Sequence, residues 1–524
     1  MTKEPNAPIV PLWFLYLTAA IAGAAIMIVE ILGARMLAPY VGTSHFVWTA
    51  QIGVTLLALA TGYYTGGWLV DRSPHPDKLY FCIGLSAICL ALTVIFCEPI
   101  ALRCSGLSLE TGSILISACL FFPPLTLLAT VGPFLVRLAT PSLGVLGKFA
   151  GRLSAISTLG SVCGTGLIGY YLIPRYPGSF SMLLTASVLM GLSLLYFICW
   201  RRPVLKASLL LAGAMILSLL VSVSDPLKHQ YESWVNRELV YEASSAFGDL
   251  QVIRNKSNGQ LILLNDFLQQ NSYDPVRQQS LSVFTYMLHE LAWAYFDSSR
   301  SDSGRITDVL CIGMGVGIVP MDFVRDAAAV DVVEINPTML PVAERYFDLN
   351  REGMNVYFED GRTFLNRTDR IYDAVILDAF LGDSSPSHLM SREAFESMKK
   401  HLRPGGVLVI NSFADFQEGS DFMAQSLLHT LRAVFRSVRI HEASTHNAFF
   451  VASDREELTA MGELDVQAMH PQVREIVADA FARTVSLPDR QALVLTDDYN
   501  PVEFYDAINR EKRRRSFVAG VRSF

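Results

Sequence analysis

Charged residues are scarce in this sequence, and the scarcity is confined to one half of it. Asp, Glu, Lys and Arg make up 17% of the 524 residues, whereas soluble proteins have about 25%. Residues 1–224 contain 12 Lys or Arg and 6 Asp or Glu, while residues 225–524 contain 30 and 43. This asymmetry predicts two different environments. The acidic balance of the second half excludes nucleic acid as a partner, because binding phosphates requires a basic face.

Cysteine is almost absent from the second half, which contains only Cys311. The sequence has no CxxC pair and no Cys/His cluster, so it predicts neither a zinc site nor a disulfide framework. The other seven cysteines lie in or near the apolar half, where cysteine behaves as a small hydrophobic residue. We therefore expect a protein without a bound metal.

The first half consists largely of long runs without formal charge. Each run has about 18 residues or more, which is enough to cross a hydrocarbon core of ~30 Å. The runs span residues 12–29, 46–70, 79–97, 111–136, 153–174, 178–200 and 207–224. They predict a seven-helix transmembrane domain over residues 1–224. We expect the first run to be a span rather than a cleaved signal peptide, because it lacks a basic leader.

Three features of these runs carry more information than their hydrophobicity. Glu30 lies in the first run, five residues before Arg35; such a carboxylate contacts either a substrate or headgroup or a structural partner, and both alternatives stay open. The small-residue stretches at 62–67 and 160–169 predict close helix packing. Pro123-Pro124 interrupts the fourth run and predicts a kinked or broken helix.

Strand-like and helix-like segments alternate from residue 306 onwards. This alternation predicts a doubly wound parallel sheet covered on both faces. The strand segments are ITDVLCIGMGVG, VDVVEIN, MNVYFEDG, YDAVILDAF and GGVLVINSF. Ahead of them, residues 250–253 and 261–264 have strand character, and residues 276–296 have helical spacing.

Three motifs lie at the predicted carboxyl ends of these strands, where such sheets bind ligands. A glycine loop lets the backbone approach a ligand closely; it contains Gly313, Gly315 and Gly317. Glu334 follows about 20 residues later and can accept both hydroxyls of an adenosine ribose. Asp360-Gly361 follows the next strand and is placed to meet an adenine edge. Together the motifs predict nucleoside binding, with a dinucleotide dehydrogenase as the main alternative.

Further acidic residues follow the fourth strand and lie near the C-terminus. Asp378 ends that strand and is a candidate general base towards an amine or hydroxyl, with a capping or structural role as the alternative. Asp383 lies five residues on, and Asp497 and Asp498 either line an active-site rim or cap a turn. In SREAF, Ser391 is the expected N-cap of a helix. The basic tail at 512–522 either contacts anionic headgroups or is solvated.

These motifs resemble those of the polyamine aminopropyltransferases, or spermidine synthases, and more closely those of their membrane-fused relatives. In the first half the likeness rests on EILGARMLAPYVG, WTAQIGVTLLALATGYYTGGWLVDR and LSAISTLGSVCGTGLIGYYLIP. In the second half it rests on VLCIGMGVG, VVEIN, EDGRTFL, YDAVILDAF, SREAF, PGGVLVIN and LTDDYNPVE.

The resemblance implies a Rossmann-like methyltransferase fold preceded by a small β-domain at about 235–275. The expected fold is thus an all-α transmembrane bundle (1–224), a segment with linker, small β-domain and leading helix (225–300), and a nucleoside-binding α/β domain (301–524). The implied reaction moves an aminopropyl-type group from S-adenosylmethionine, or its decarboxylated form, to an amine. Methylthioadenosine is the by-product, and no metal takes part.

The resemblance also implies roles for individual residues. The family's catalytic aspartate falls on Asp378. Its nucleoside contacts fall on the glycine loop, Glu334, Asp360 and Gly361, with Gln269 matching the glutamine after the small domain. The residues expected to line the amine are Asp274, Asp383, Asp497 and Asp498.

Part of the family's acidic lining is missing. Val316 stands in place of an acid in the glycine loop, Leu381 in place of a second aspartate, and Pro275 in place of a glutamate after Asp274. Two carboxylates ~4 Å apart at an effective dielectric constant of ~20 repel each other by about 4 kcal/mol. An acid at 316 would therefore reject intact S-adenosylmethionine, which keeps its carboxylate. We hypothesise that Val316 lets this protein use the intact donor.

Other functions stay open on the same motifs. They are an acceptor-less lyase or cyclase that releases methylthioadenosine, a methyltransferase, and a transporter or sensor whose soluble domain binds a nucleoside or polyamine. The expected partners are a small-molecule donor, a polyamine acceptor and the lipid bilayer, and homo-oligomerisation is left open. Nine basic residues on the N-terminal side of seven spans would place the catalytic domain outside the cell membrane. The donor is made in the cytoplasm, and on that ground we expect a cytoplasmic domain; a re-entrant fourth segment would remove the conflict.

Overall fold

A computed structural model describes residues 10–504 with interruptions. These are at 42–44, 105–106, 141–142, 174, 201–235, 267, 301–302, 381–385, 444–446, 463, 489, 491 and 503. The chain divides near residue 230 into two compact units. The seventh predicted span, residues 207–224, lies outside the described residues.

The described part of the N-terminal unit is helical. Its α-helices are α1 (Leu12–Val41), α2 (His45–Arg72), α3 (Pro76–Cys104), α4 (Leu109–Ala129), α5 (Val131–Ala139), α6 (Leu146–Gly166) and α7 (Gly178–Trp200). Helix α6 continues as a π-helical segment over Leu167–Leu172. Within the described residues, six helical stretches are long and apolar enough to cross a membrane, which confirms the predicted helices at six of the seven runs.

The prolines of the fourth stretch do not mark its break. Helix α4 runs through Pro123 and Pro124, and the interruption lies at Thr130, between α4 and α5. The helix is therefore not broken at the prolines, and the predicted alternative of a kink there stays a prediction. Neighbouring helices can satisfy backbone groups around a helix proline, and here Ser86 Oγ donates a hydrogen bond to the Pro124 carbonyl at 2.9 Å.

Glycines provide the closest helix contacts, as predicted. A Cβ atom on Gly160 would lie 2.1 Å from the Ala20 carbonyl oxygen, and one on Gly62 would lie 2.4 Å from the Thr126 carbonyl oxygen. Any side chain there would push the helices apart. Close backbone approach is the main way helices associate where no hydrophobic force acts between them.

The C-terminal unit begins with a small antiparallel sheet, which confirms the expected β-domain. Its strands pair in chain order and are β1 (Arg237–Ser245), β2 (Gly248–Asn255), β3 (Leu261–Asn265), β4 (Leu268–Asp274) and β5 (Gln279–Ser280). The helix predicted over 276–296 begins only at Val283, because Gln279 and Ser280 pair with β4 in a hairpin.

A seven-stranded sheet forms the rest of this unit. Its strands are β6 (Asp308–Ile312), β7 (Ala329–Glu334), β8 (Met354–Phe358), β9 (Tyr372–Leu377), β10 (Leu402–Phe413), β11 (Ser437–Glu442) and β12 (Asn447–Ser453). Their order is β11-β12-β10-β9-β6-β7-β8. Strands β6 to β10 are parallel, and β12 is antiparallel to both neighbours. The five parallel strands confirm the Rossmann-like prediction, whereas β11 and β12 were not predicted.

Helices cover both faces of this sheet. They are α8 (Val283–Tyr295), α9 (Ile318–Arg325), α10 (Met339–Tyr346), α11 (Gly361–Arg367), α12 (Arg392–Lys400), α13 (Phe422–Val434) and α14 (Arg474–Ala482). Alternate residues of a strand point to opposite faces; in β6, Cys311 joins one core cluster and Leu310 the other. Ser391 is the N-cap of α12, as predicted, since its hydroxyl accepts a hydrogen bond from the Ala394 amide at 3.2 Å.

The sheet has its switch point between β6 and β9. From β6 the chain moves outwards to β7 and β8, then returns to the other side of β6 with β9 and β10. Ligands of such sheets bind in the crevice at the carboxyl ends of the strands flanking this point. The glycine loop follows β6, and Asp378 follows β9.

Candidate active site

The glycine loop is shaped by a close backbone contact. Gly313 has φ +96°, and a Cβ atom there would lie 2.1 Å from the carbonyl oxygen of Asp378. The Asp378 amide in turn donates to the Ile312 carbonyl at 2.9 Å. Only glycine fits between the two strand ends. Gly315, with φ +53°, has open space where a side chain would be, so a ligand can approach its backbone.

Glu334 ties the end of β7 to the glycine loop. Its Oε2 accepts a hydrogen bond from the Met314 amide at 3.0 Å, and its Oε1 accepts one from the Asn336 amide at 2.8 Å. The side chain is buried, and burial raises the pKa of Glu334 against the opposing effect of these amides. Each carboxylate oxygen has a further lone pair, which a ribose hydroxyl could use. The geometry is therefore compatible with the predicted ribose contact.

Asp378 is held by a pair of asparagines. Nδ2 of Asn411 donates to Oδ1 of Asp378 at 2.9 Å, and Nδ2 of Asn447 donates to Oδ1 of Asn411 at 2.9 Å. The register explains the first contact, because Ile410 in β10 lies beside Leu377 in β9. These bonds fix the orientation of the carboxyl, and within the described part of the chain no hydrogen bond uses its other oxygen.

Burial raises the pKa of Asp378 to about 6, against the lowering effect of the Asn411 hydrogen bond. The residue still keeps part of its surface accessible. A carboxyl with a pKa close to neutral is suited to accept a proton at physiological pH. Among the described residues, the side chain is hydrogen-bonded to Asn411 at the end of a strand and to no amide of a helix start. The described contacts thus give no support to the capping alternative.

Asp360 and Gly361 lie where β8 leads into α11. Asp360 is the N-cap of α11: its Oδ1 accepts from the Thr363 amide at 3.0 Å, and its Oδ2 lies 2.6 Å from Nε2 of His388. Although burial opposes the change, these hydrogen bonds lower the pKa of Asp360. A Cβ atom on Gly361 would lie 2.6 Å from Ile312, the last residue of β6. Both residues thus lie close to the glycine loop and the segment after Asp378.

The LTDDYN segment holds the loop that follows Asp378. Asp497 accepts hydrogen bonds from Arg362, at 3.0 Å, and from the hydroxyl of Ser391. Nδ2 of Asn500 donates to the carbonyl oxygens of Ser387 and Met390, at 2.8 and 3.3 Å. Asp497 therefore anchors the helix start rather than capping a turn of its own.

The remaining predicted amine-lining residues are dispersed. Asp274 accepts hydrogen bonds from the Val276 and Arg277 amides of its own turn and lies 3.2 Å from His470. Asp498 is exposed, and so is Gln269 in β4. Asp383 lies outside the described residues, as does Leu381. No contact brings Asp274 or Gln269 to the crevice residues within the described part of the chain.

Val316 points into the protein core. Its side chain is only 1% exposed and packs in the cluster that includes Met287 and Val319. The position that carries an acid in the resembling family is therefore apolar and turned inwards in this protein. It brings no negative charge to the glycine loop.

Sequence reasoning missed Asn411, Asn447 and Arg362. Asn411 could have been found, because it is a polar residue at the end of the buried strand that follows Asp378 in the alternation. Asn447 begins β12, which was not predicted. Arg362 follows Asp360-Gly361 directly, but its partner Asp497 is 135 residues away in sequence, so no local signal joins them.

Comparison with known proteins gives the family. The model described as "Spermine/spermidine synthase domain" matches residues 297–446. The polyamine aminopropyltransferase of Vibrio vulnificus is 30% identical over 207 residues, which are 37% of this chain and 68% of that protein. The N-terminal histidine N-methyltransferase of Emericella nidulans is 26% identical over 291 residues, which are 51% of this chain and 50% of that protein.

Among solved structures, the spermidine synthase from Thermotoga maritima aligns at 14% identity with a TM-score of 0.36, over 48% of this chain and 84% of that one. The matched family region contains β6 to β11 with the glycine loop, Glu334 and Asp378. The Vibrio relative is matched over more than two thirds of its length. The chain therefore belongs to the spermine/spermidine synthase family, in which the Vibrio relative is named a polyamine aminopropyltransferase.

Proposed function

We propose that the C-terminal unit transfers an aminopropyl-type group from a sulfonium nucleoside to an amine and releases methylthioadenosine. The observation that carries the proposal is the position of Asp378. Its carboxyl lies at the switch point beside the glycine loop, is oriented by Asn411 and has a pKa of about 6.

The crevice residues suit a nucleoside donor. The backbone at Gly315 is open to a ligand, and Glu334 at the neighbouring strand end keeps lone pairs for ribose hydroxyls beyond the two amides it already binds. Asp360 follows the next strand, as expected of a residue near the adenine edge. S-adenosylmethionine and its decarboxylated form share this nucleoside part, so the same residues would hold either one.

The proposed transfer requires a single base, Asp378, and its atoms and electrons balance as follows. The amine nitrogen of the acceptor attacks the carbon bonded to the sulfonium sulfur. The carbon–sulfur bond breaks, and its electron pair stays on sulfur to give a neutral thioether. Asp378 takes the proton that the nitrogen loses. Because the sulfonium is already a good leaving group, orientation and proton removal supply the catalysis.

Val316 bears on which donor is used. Its buried side chain leaves the glycine loop without the carboxylate that would repel the amino-acid carboxylate of intact S-adenosylmethionine. We propose that the intact donor is accepted. The transferred group would then carry a carboxylate as well as an amine.

Methyl transfer is the second candidate. One relative is named an N-terminal histidine N-methyltransferase, and an intact donor at the same site could also react at its methyl carbon. The by-product separates the two reactions, because methyl transfer leaves S-adenosylhomocysteine.

The test is mass spectrometry of the detergent-purified full chain incubated with each donor, with and without putrescine. Methylthioadenosine that depends on putrescine would support transfer, and the productive donor would test the Val316 argument. Methylthioadenosine formed equally without putrescine would indicate a lyase or cyclase. S-adenosylhomocysteine would replace the proposal with methyl transfer, and binding without any product would favour a sensor or transporter.

A further inference from the structure

Helices α2 and α4 each carry buried polar side chains that have no hydrogen-bond partner among the described residues. Gln51 is 0% exposed, and neither its Nε2 nor its Oε1 is paired. The hydroxyls of Thr55, Ser113 and Ser117 are equally buried and unpaired in the described part of the chain. All four residues lie in helices that are apolar enough to span a membrane.

The contact between α1 and α2 places Glu30 beside this group. Only three residues separate the two helices in sequence, so they form an antiparallel hairpin. A Cβ atom on Gly33 would lie 2.4 Å from Nε2 of Gln51, so the amide rests on the α1 backbone. In an antiparallel pair, a step towards the N-terminus on one helix matches a step towards the C-terminus on the other. Three residues before Gly33 in α1 therefore match three or four residues after Gln51 in α2. Glu30 is therefore level with Thr55.

The contact between α2 and α4 places the two serines at the same level. Gly62 packs against Thr126, and Gly66 packs against Thr130, so the two helices run parallel. The same offset along the chain brings Gln51 within one turn of Ser113 and Ser117. The unpaired groups thus come from two helices, α2 and α4, and lie in one layer at the level of Glu30 in α1.

Packing alone does not account for such a layer. Polar groups buried without partners are costly, and polar side chains inside a membrane usually face a partner or a polar cavity. Glu30 is half-buried in α1 at this level. A ligand that uses several acceptors at once would satisfy the whole layer.

We propose that Glu30, Gln51 and Thr55, with Ser113 and Ser117, form a binding site for a small primary alkylammonium ion. Such an ion has three N–H donors and no acceptor, as the ammonium of a lysine side chain does. The layer offers it a carboxylate, an amide oxygen and hydroxyl oxygens. An anion would be repelled by Glu30.

This site is separate from the crevice at Asp378 and does not depend on the reaction proposed there. Its ligand class is nevertheless the class of the proposed acceptor. A membrane-embedded site for an amine would let the N-terminal unit capture or sense the compound that the C-terminal unit uses.

The test is equilibrium binding of radiolabelled putrescine to the full chain in detergent. We expect Glu30→Gln to weaken one class of binding site at least tenfold, because it removes the charge that the ammonium pairs with. The matched controls are Glu110→Gln, an exposed carboxylate at the start of α4, and Thr61→Val, an exposed hydroxyl in α2. Both controls should bind as the wild type does. Methylthioadenosine release at saturating putrescine should be unchanged in Glu30→Gln.

Gln51→Leu provides a second variant that does not rely on charge. Since the Gln51 amide has no partner among the described residues, we expect this variant to be at least as heat-stable as the wild type without putrescine. It should lose the same class of binding site as Glu30→Gln. Two results would overturn the proposal. One is that Glu30→Gln and Gln51→Leu both bind putrescine with wild-type stoichiometry and affinity. The other is that Asp378→Asn alone abolishes all putrescine binding.

Discussion

Two fully buried polar residues, one in each unit of this protein, differ in how they are paired. In the C-terminal unit, fully buried Asp331 accepts hydrogen bonds from Tyr372, Asn355 and Arg370, all within 3.0 Å. In the N-terminal unit, fully buried Gln51 has none among the described residues. Paired groups fix a geometry, whereas unpaired ones remain available to a ligand. This contrast is the one that the two proposals above require: a preorganised site in the C-terminal unit and a ligand-binding site in the helical unit.

The largest loss of activity should come from Gly313→Ala, which changes the close backbone contact in the C-terminal unit. The new methyl group would collide with the Asp378 carbonyl and separate the glycine loop from the catalytic strand. A displacement of about 1 Å can lower activity about 100-fold, and we expect kcat/KM for methylthioadenosine release to fall by at least that factor. Putrescine binding in the helical unit should persist.

Gly259→Ala is the matched control for this variant. Gly259 also has a left-handed φ, +74°, but a Cβ atom there would have no neighbour within 4 Å. It shares the backbone strain without the collision. Equal loss of activity in both variants would contradict the close-contact explanation.

Glu334→Gln should weaken binding of the nucleoside donor without changing the affinity for the acceptor amine. The amide can still accept from one backbone N–H but presents a donor to the other, and it loses the charge that strengthens bonds to ribose hydroxyls. A hydrogen bond to a charged group is worth about 1.5–3 kcal/mol, so we expect the donor Kd, measured by calorimetry, to rise about 10- to 100-fold. The exposed Glu352→Gln should leave it unchanged, and an unaltered Kd in Glu334→Gln would exclude the ribose role.

Asp378→Asn should stabilise the catalytic unit at neutral pH. The folded pKa of Asp378, about 6, lies above its ordinary value of 3.8, so stability falls as pH rises from about 4 to 6, where the unfolded chain ionises first. An asparagine does not titrate. We expect the variant to gain about 3 kcal/mol at pH 7.5, because each unit between the two pKa values is worth about 1.4 kcal/mol, and less than about 1 kcal/mol at pH 4.

Calorimetric melting of the full chain at the two pH values checks this stability prediction. The exposed Asp369→Asn serves as the control. A variant that is less stable than the wild type at pH 7.5 would show that Asp378 is a structural acid rather than a strained functional one.

The smallest effect should come from Asp497→Asn. The change weakens the bonds to Arg362 and Ser391 that hold the segment after Asp378. Since Arg362 also donates to the His388 carbonyl, the segment keeps part of its support, and we expect KM to rise only a few-fold with little change in kcat. Steady-state kinetics of the neighbouring Asp498→Asn separate the roles: a larger rise in the acceptor KM there would place the amine at Asp498 instead.

Elements that depend on a local sequence pattern could be predicted from the sequence alone. Alternating strands and helices located β6 to β10, and uncharged runs located six helices, because hydrophobic periodicity and length govern both. Strands β11 and β12 were missed because they form an antiparallel hairpin outside the strand–helix alternation, and only β12 pairs with β10. The break predicted at Pro123-Pro124 is absent, because α4 continues through both prolines.

The candidate active site could likewise be predicted only where its residues follow a local pattern. Gly313, Glu334 and Asp378 stand at strand ends, so the order of motifs was enough to bring them together. The orienting role of Asn411 required the β9–β10 register, and the anchoring role of Asp497 required tertiary contacts. Asp274, by contrast, matched a family position, but its carboxylate is occupied by its own turn and His470.

The central claim is that Asp378 removes a proton from the acceptor. The most direct test is the pH dependence of kcat for methylthioadenosine release at saturating donor and putrescine, since that profile reports the base within the complex. The account predicts a kcat that rises with pH through about 6. In Asp378→Asn, kcat should fall about 100- to 10,000-fold, and the rise with pH should disappear. A rate that is flat between pH 5 and 8, or an Asp378→Asn variant that keeps both rate and profile, would contradict it.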